Sequence, residues 1–282
     1  MTEKLLTVLI PAFNSYQGII NVVEKLKTRK DITIIVGDDS TNVDVARNIE
    51  SYIAEIGSPD FIYCKHESTG NAVDNWNFLL SKVESKFFVL VHHDEAFSNT
   101  SFIDVVEKYQ DSMEIIVLPI RVEHSNGIHR NVKSRTQSFM IKLLRKRGTT
   151  LNFIGGPTAL LIIKSTHINF FNRNLIFYVD IDWYMKLFLK ISLDKVMYFP
   201  ETTVISSITG YSITKNILPR QREIIASDIA ILRKHYPNNV LLRKSVMGFF
   251  LRFLYKFILV PSFSSYYFRK LKRVLGRSLN GF

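Results

Sequence analysis

The chain has 282 residues, 46% hydrophobic and 12% aromatic, enough to bury the core of one large α/β domain with an appendage or of two small domains. Its single cysteine, Cys64, excludes an intramolecular disulfide and a Cys-rich zinc site, and a reducing, cytoplasmic setting is the expectation. The net charge of +12 is lopsided: nine cations lie beyond residue 240 and no acidic residue follows Asp228, so the C-terminal end is expected to meet a polyanion, either a membrane surface or a nucleic acid.

Leu5 to Pro11 reads as an apolar strand that stops at Pro11-Ala12-Phe13-Asn14. The stretch from Thr7 to Phe13 is too short for a secretory segment and is broken by Pro11, so no signal peptide is expected. Residues 16–29 predict a helix with Ile19, Ile20, Val23 and Leu26 on one face. Ile32 to Val36 predicts a second buried strand, followed by Gly37-Asp38-Asp39-Ser40. A helix over 43–56, a strand over Phe61 to Cys64, a helix over Asn71 to Val83 and a strand over Phe87 to Val91 come next. This alternation predicts a parallel sheet with right-handed crossovers. Ile115 to Leu118 and Thr158 to Ile163 read as further strands. Arg121 to Gly148 is polar and basic, a loop with a helix. Asp180 to Ile191 predicts a helix, Ser206 to Lys215 a mobile loop, and 219–236 another helix. No repeat or low-complexity segment is present.

Three strands end in polar clusters: Pro11 to Asn14, Asp38 to Ser40, and His92-His93-Asp94-Glu95. In a parallel sheet these ends share one edge, where open α/β sheets bind ligands. No Gly-x-Gly-x-x-Gly follows the first strand and no Gly-rich loop ends in Lys-Ser/Thr, which disfavours a dinucleotide fold and a P-loop. A divalent metal is then the expected way to neutralise a diphosphate, and two imidazoles with two carboxylates at one strand end suit it. Asp38 and Asp39 repel phosphate. They either accept hydrogen bonds from a base or ribose, or cap the turn and helix that follow.

On these residues the chain resembles the family 2 inverting glycosyltransferases of GT-A fold, in the flavour of the bacterial enzymes that build O-antigen, capsule and exopolysaccharide. The resemblance covers about residues 5–215. Leu6-Thr-Val-Leu-Ile-Pro-Ala-Phe-Asn14 is similar to the family's opening strand, and Ile34-Ile-Val-Gly-Asp-Asp-Ser40 to its Val-Asp-Asp-Gly-Ser segment. Gly70 with Asn75-Trp76-Asn77 resembles the helix before the metal strand. His92-His93-Asp94 stands where the family carries Asp-x-Asp, and Gly155-Gly156-Pro157 and Asp180-x-Asp182-Trp183-Tyr184 resemble later acceptor-side and base motifs. The pattern departs at His92, which replaces an Asp, and at Glu95, where a second Asp often follows. The Gln-x-x-Arg-Trp motif of processive members is absent; Gln221-Arg222-Glu223 does not reproduce it.

The resemblance implies an α/β, mostly parallel sheet flanked by helices, with a GT-A domain over 1–218; from its composition, 219–282 reads as a basic, amphipathic helical extension. The resemblance also implies metal-dependent transfer of one sugar per encounter from a nucleotide-diphosphate sugar to a saccharide or lipid-linked saccharide, with inversion. Asp94 is the expected ligand of Mn2+ or Mg2+, with His92 beside it and His93 against the phosphates. Asp180 is the expected base, with Asp182 as its fallback or as a helix cap. Pro11, Phe13 and Asn14 would shape the nucleoside pocket with Asp38 and Asp39; Phe13 packs on the base or belongs to the core. Asn75 and Asn77 either orient the donor or hold a helix terminus, and Trp76 reads as core. Gly155 and Gly156 let backbone approach the sugar, or form a tight turn. Lys215 or Arg220 would serve a late diphosphate contact.

Residues 246–260 are strongly apolar yet carry Arg252 and Lys256, too short and too charged for a spanning helix. They read as an interfacial helix, extended by Tyr266, Tyr267, Phe268 and five cations. A peripheral place on the inner face of the cytoplasmic membrane follows, with an anionic surface as partner. A nucleic-acid partner is not expected, because no known module for it is visible. The runner-up is a catalytically silent membrane-bound protein of the same fold.

Overall fold

The computed structural model describes residues 4–123, 129–147, 158–207 and 221–237. Strand β1 (Leu6–Ala12) is buried at all seven positions, as the central strand of a sheet covered on both faces must be. It pairs in parallel with β2 (Ile32–Asp38) on one side and β4 (Phe87–Leu90) on the other, and β2 pairs with β3 (Phe61–Lys65). Helices α1 (Tyr16–Leu26), α2 (Val43–Glu55) and α3 (Ala72–Leu80) make the crossovers. Asn42 caps α2, its side chain accepting from the Asp44 and Val45 amides at 3.0 and 3.2 Å, and Asn71 caps α3 through the Val73 amide at 3.1 Å.

The sheet continues past β4 with β9 (Leu161–Lys164), β6 (Ile115–Val117) and β10 (Val196–Tyr198), in the order β10-β6-β9-β4-β1-β2-β3. Only β9 runs antiparallel to its neighbours. Its expected start at Thr158 is a 3-10 turn over Thr158–Leu160. Helix α4 (Ser101–Tyr109) buries Phe102, Ile103 and Val106. A second sheet, in the order β5-β11-β7-β8, contains β5 (Glu95–Phe97), β7 (Ile120–Glu123), β8 (His129–Val132) and β11 (Val204–Ser207). Strands of three or four residues carry too little periodicity to be read from the chain, and this sheet and α4 were not foreseen.

Helices α5 (Ser134–Arg147), α6 (Val179–Phe188) and α7 (Gln221–His235) complete the described fold. Helix α7 buries Asp228 and Leu232, so the expected extension begins with a helix packed on the domain. The apolar, basic stretch after it and most of the Ser206 to Lys215 loop lie outside the described residues. Among the described residues, no helix is long and apolar enough to cross a membrane.

Two glycines permit close approaches toward the ligand edge of the sheet. A Cβ on Gly37 would stand 2.7 Å from Asn75 Oδ1 and 2.8 Å from the Leu79 side chain, so α3 lies directly on β2. A Cβ on Gly18 would collide with the His93 carbonyl oxygen and stand 3.1 Å from the His93 Cβ, so α1 presses on the turn that follows β4.

Candidate active site

The end of β1 is tied to the end of β2. Asn14 adopts φ +50, a left-handed conformation that Asn tolerates. Its amide donates to Ser40 Oγ at 2.7 Å, its Nδ2 to Thr41 Oγ1 at 3.0 Å, and its Oδ1 accepts from the Asn42 amide at 2.9 Å. Asn14 thus holds the pocket edge together. Pro11 is buried in β1 opposite Gly37. Phe13 is 48% exposed, which removes it from the core.

Asp38 is fully buried. It accepts from the Ser40 amide at 2.9 Å, from the Tyr63 hydroxyl at 2.7 Å and from Lys65 Nζ at 3.4 Å. Burial and the Asp38 charge push the Tyr63 phenol up. Asp39 is held by Asn75, whose Nδ2 donates to Asp39 Oδ1 at 3.0 Å and to the Gly37 carbonyl at 2.7 Å. Burial raises the Asp39 carboxyl and the Asn75 bond partly offsets it. Neither aspartate caps α2, since Asn42 does. Asn75 is therefore placed to orient Asp39. Asn77 grips the loop before α6: its Nδ2 donates to the Phe171 carbonyl at 3.1 Å and its Oδ1 accepts from the Phe171 amide at 2.8 Å.

The turn after β4 is folded on Glu95. The Glu95 amide donates to the His92 carbonyl and Glu95 Oε2 accepts from the His92 amide, both at 3.0 Å. Glu95 is buried, which raises its carboxyl well above the usual range, and Asp94 and Asp180 push the same way. Burial lowers the His92 imidazole to about 4 against the opposing pull of Asp94, so this ring is neutral at pH 7 with a lone pair to offer. His93 and Asp94 are half-buried, and the Asp94 carbonyl accepts from the Ser207 amide at 3.0 Å.

Asp180, in the first turn of α6, reaches this same region. It and Glu95 both raise the Tyr184 phenol, and burial pushes Asp180 itself up to about 7. Asp182 faces elsewhere, since two helix residues project roughly 200° apart. It is fully buried, ion-paired to Lys186 at 2.7 Å, and accepts from the Tyr236 hydroxyl at 2.9 Å. An aromatic ladder joins the two regions. His92 lies edge-on to Trp76 (5.0 Å), Trp76 edge-on to Phe171 (5.2 Å), and Phe171 stacks on Trp183 of α6 (4.9 Å). Trp76 is accordingly a packing residue, as the sequence suggests.

The N-cap residue of α6, Tyr178, makes no side-chain capping bond. Asp228 of α7 supplies one, accepting from the Ile176, Phe177 and Tyr178 amides at 3.2, 2.7 and 2.8 Å. Sequence reading missed this residue; the available signal was an acid one turn before Leu232 on the apolar face of a predicted helix. Asp228→Ala strands three amides beside Asp180. A loss of about 2–3 kcal/mol in urea unfolding is expected, with kcat falling more than donor KM rises. An unchanged unfolding midpoint would count against the cap.

Among the described residues, no three His, Cys, Asp or Glu groups converge to enclose a metal. Gly155, Gly156, Lys215 and Arg220 lie outside the described residues.

Residues 7–169, more than half of the chain, match the family model described as Glycosyl transferase family 2. The chain belongs to that family. The glycosyl transferase family 2 match takes in all three polar strand ends and stops before α6, so the placement of Asp180 rests on the geometry above. The fold, of GT-A type, is similar to that of S. aureus TarS residues 1–349, at 16% identity and TM-score 0.54 over 72% of this chain and 60% of that one. It is also similar to the mannosyltransferase PcManGT from Pyrobaculum calidifontis in complex with GDP-Man and Mn2+, at 13% identity and TM-score 0.52 over 83% and 65%. A third likeness is to GalNAc-T7 with UDP, GalNAc and Mn2+, at 12% identity and TM-score 0.52 over 73% and 44%. At such identities the likeness is one of fold, and this chain spans less than two thirds of each of these chains. No curated protein sequence matches it.

Proposed function

We propose that the chain transfers one sugar from a nucleotide-diphosphate sugar to a hydroxyl of a saccharide or lipid-linked saccharide, with inversion. The observation that carries this reading is Asp180, a carboxylate pushed to about 7, in electrostatic contact with the turn that bears Asp94. A base of that strength is half ionised at neutral pH and suits removal of a hydroxyl proton as the bond forms. Family membership and the nucleotide-sugar complexes of the TarS and PcManGT folds support the donor class.

In the single displacement the acceptor oxygen attacks the anomeric carbon from the face opposite the diphosphate. Its proton passes to Asp180, and the carbon–oxygen bond to the diphosphate breaks. Asp39, oriented by Asn75, and Asp38 would receive hydrogen bonds from the nucleoside. Asp94, with neutral His92 and with His93, would hold Mn2+ or Mg2+, which when bound supplies positive charge to the departing diphosphate. Glu95, bonded to the His92 amide, fixes the turn that presents Asp94. Asp182 serves as the tie between α6 and α7.

The setting proposed is bacterial surface polysaccharide synthesis, at the inner face of the cytoplasmic membrane. The catalytic domain is assigned to 1–218 and the extension to 219–282, whose basic, aromatic end favours an anionic membrane over nucleic acid. The test is a panel of nucleotide-sugars with Mn2+, Mg2+ or chelator, followed by proton NMR of the anomeric product. One donor turned over with metal and inverted is the expected result. A retained anomeric configuration would overturn the mechanism, and a donor that binds without turnover on any acceptor would favour the silent protein.

A further inference from the structure

We propose that the outer face of α5 is a docking surface for an anionic phospholipid bilayer. Arg135, Phe139 and Lys142, at positions i, i+4 and i+7, form one exposed stripe. Phe139 is 61% exposed between the two cations. The opposite stripe, Gln137, Ile141 and Leu144, is buried, with Gln137 Nε2 donating to the Leu118 carbonyl at 2.8 Å. The helix SRTQSFMIKLLRKR contains five cations and no acid.

The C-terminal end of α5 meets the turn after α6. Arg145 Nη1 donates to the Ile191 carbonyl at 2.8 Å, which brings the end of α5 beside Leu189, 44% exposed, and the exposed Lys190. Among the described residues, Arg135, Lys142 and Lys190 form no ion pair with a carboxylate. Uncompensated positive charge calls for an anionic partner. A large ring and a leucine held in water among those charges call for hydrocarbon next to that anionic layer, the arrangement of a bilayer interface. A purely polar polyanion would leave Phe139 and Leu189 unused. Because α5 packs on α6, docking would hold the helix that carries Asp180 close to the membrane. The residues of this surface all lie within the described fold, and the proposal does not depend on the transfer reading.

The test uses the full chain and vesicles of phosphatidylcholine with and without phosphatidylglycerol. The triple variant Arg135→Ser/Phe139→Ser/Lys142→Ser changes only exposed groups and is expected to keep the melting temperature. Its affinity for the anionic vesicles should fall about tenfold or more, two surface cations and one ring being removed. Fluorescence of Phe139→Trp should shift to the blue on anionic vesicles and be quenched by brominated acyl chains. Unchanged vesicle affinity of the triple variant, or absence of quenching, overturns the proposal and confines any membrane contact to other parts of the chain. Equal binding of single-stranded DNA, lost in the triple variant, overturns it in favour of a polyanion site.

Discussion

Asp180→Asn will reduce kcat by about a hundred- to ten-thousand-fold, the range a positioned general base contributes, while nucleotide affinity stays within a few-fold. The amide keeps the shape and the half-buried position and removes only the proton acceptor. In the wild-type enzyme the rate should rise with pH through about 7, because the carboxyl is pushed there by burial and is active as the anion. The same shift has a stability consequence. The folded carboxyl is raised from 3.8 to about 7, so between those values the folded state binds more protons than the unfolded one. This contribution falls as pH rises through that window and is at its worst above 7. Asp180→Asn should therefore unfold later than wild type at pH 8, by about 1–3 kcal/mol once partial exposure is allowed for, and show no gain near pH 4. Retention of kcat within tenfold, or a variant less stable than wild type at pH 8, would remove Asp180 from the role of base.

Asp94→Asn is the second large effect. Calorimetric titration of wild type with the nucleoside diphosphate of its donor should show tight binding with Mn2+, lost on chelation and restored by added metal. In the variant the affinity should become independent of metal, with kcat/KM lower by about a hundredfold or more, as expected when a charge facing the diphosphate is removed. His92→Ala should cost less, since a neutral imidazole lowered to about 4 contributes a lone pair but no charge. Metal-dependent binding that survives in Asp94→Asn would move the cation to other ligands.

Much of this was legible along the chain. Strands β1, β2, β3 and β4 are short apolar runs ending in polar residues, and their order with the intervening helices gives a parallel sheet with one ligand edge. Asp38, Asp39 and the His92 to Glu95 turn were visible as strand ends before any coordinate was known. Asn14, Asn75 and Asn77 were visible as polar residues near the site, but their partners were not. Each bonds across the fold, to Ser40 and Thr41, to Asp39 and Gly37, and to Phe171. No local pattern encodes a bond between residues 26 to 94 positions apart.

Local hydropathy and residue chemistry thus determined the fold class, the ligand edge and the family resemblance, because buried strands and their polar ends are properties of short segments. Tertiary structure decided the rest. The antiparallel direction of β9 and the second sheet depend on pairing between short strands that hydropathy leaves without direction. What distinguishes Asp182 from Asp180 comes from α7 and the residue after it: Tyr236 donates to Asp182, and Asp228 accepts from the amides that lead into α6. A helix turns about 100° per residue, so its own sequence separates the two aspartates onto different faces. Only the packing of a segment some 50 residues away determines which of these faces is covered.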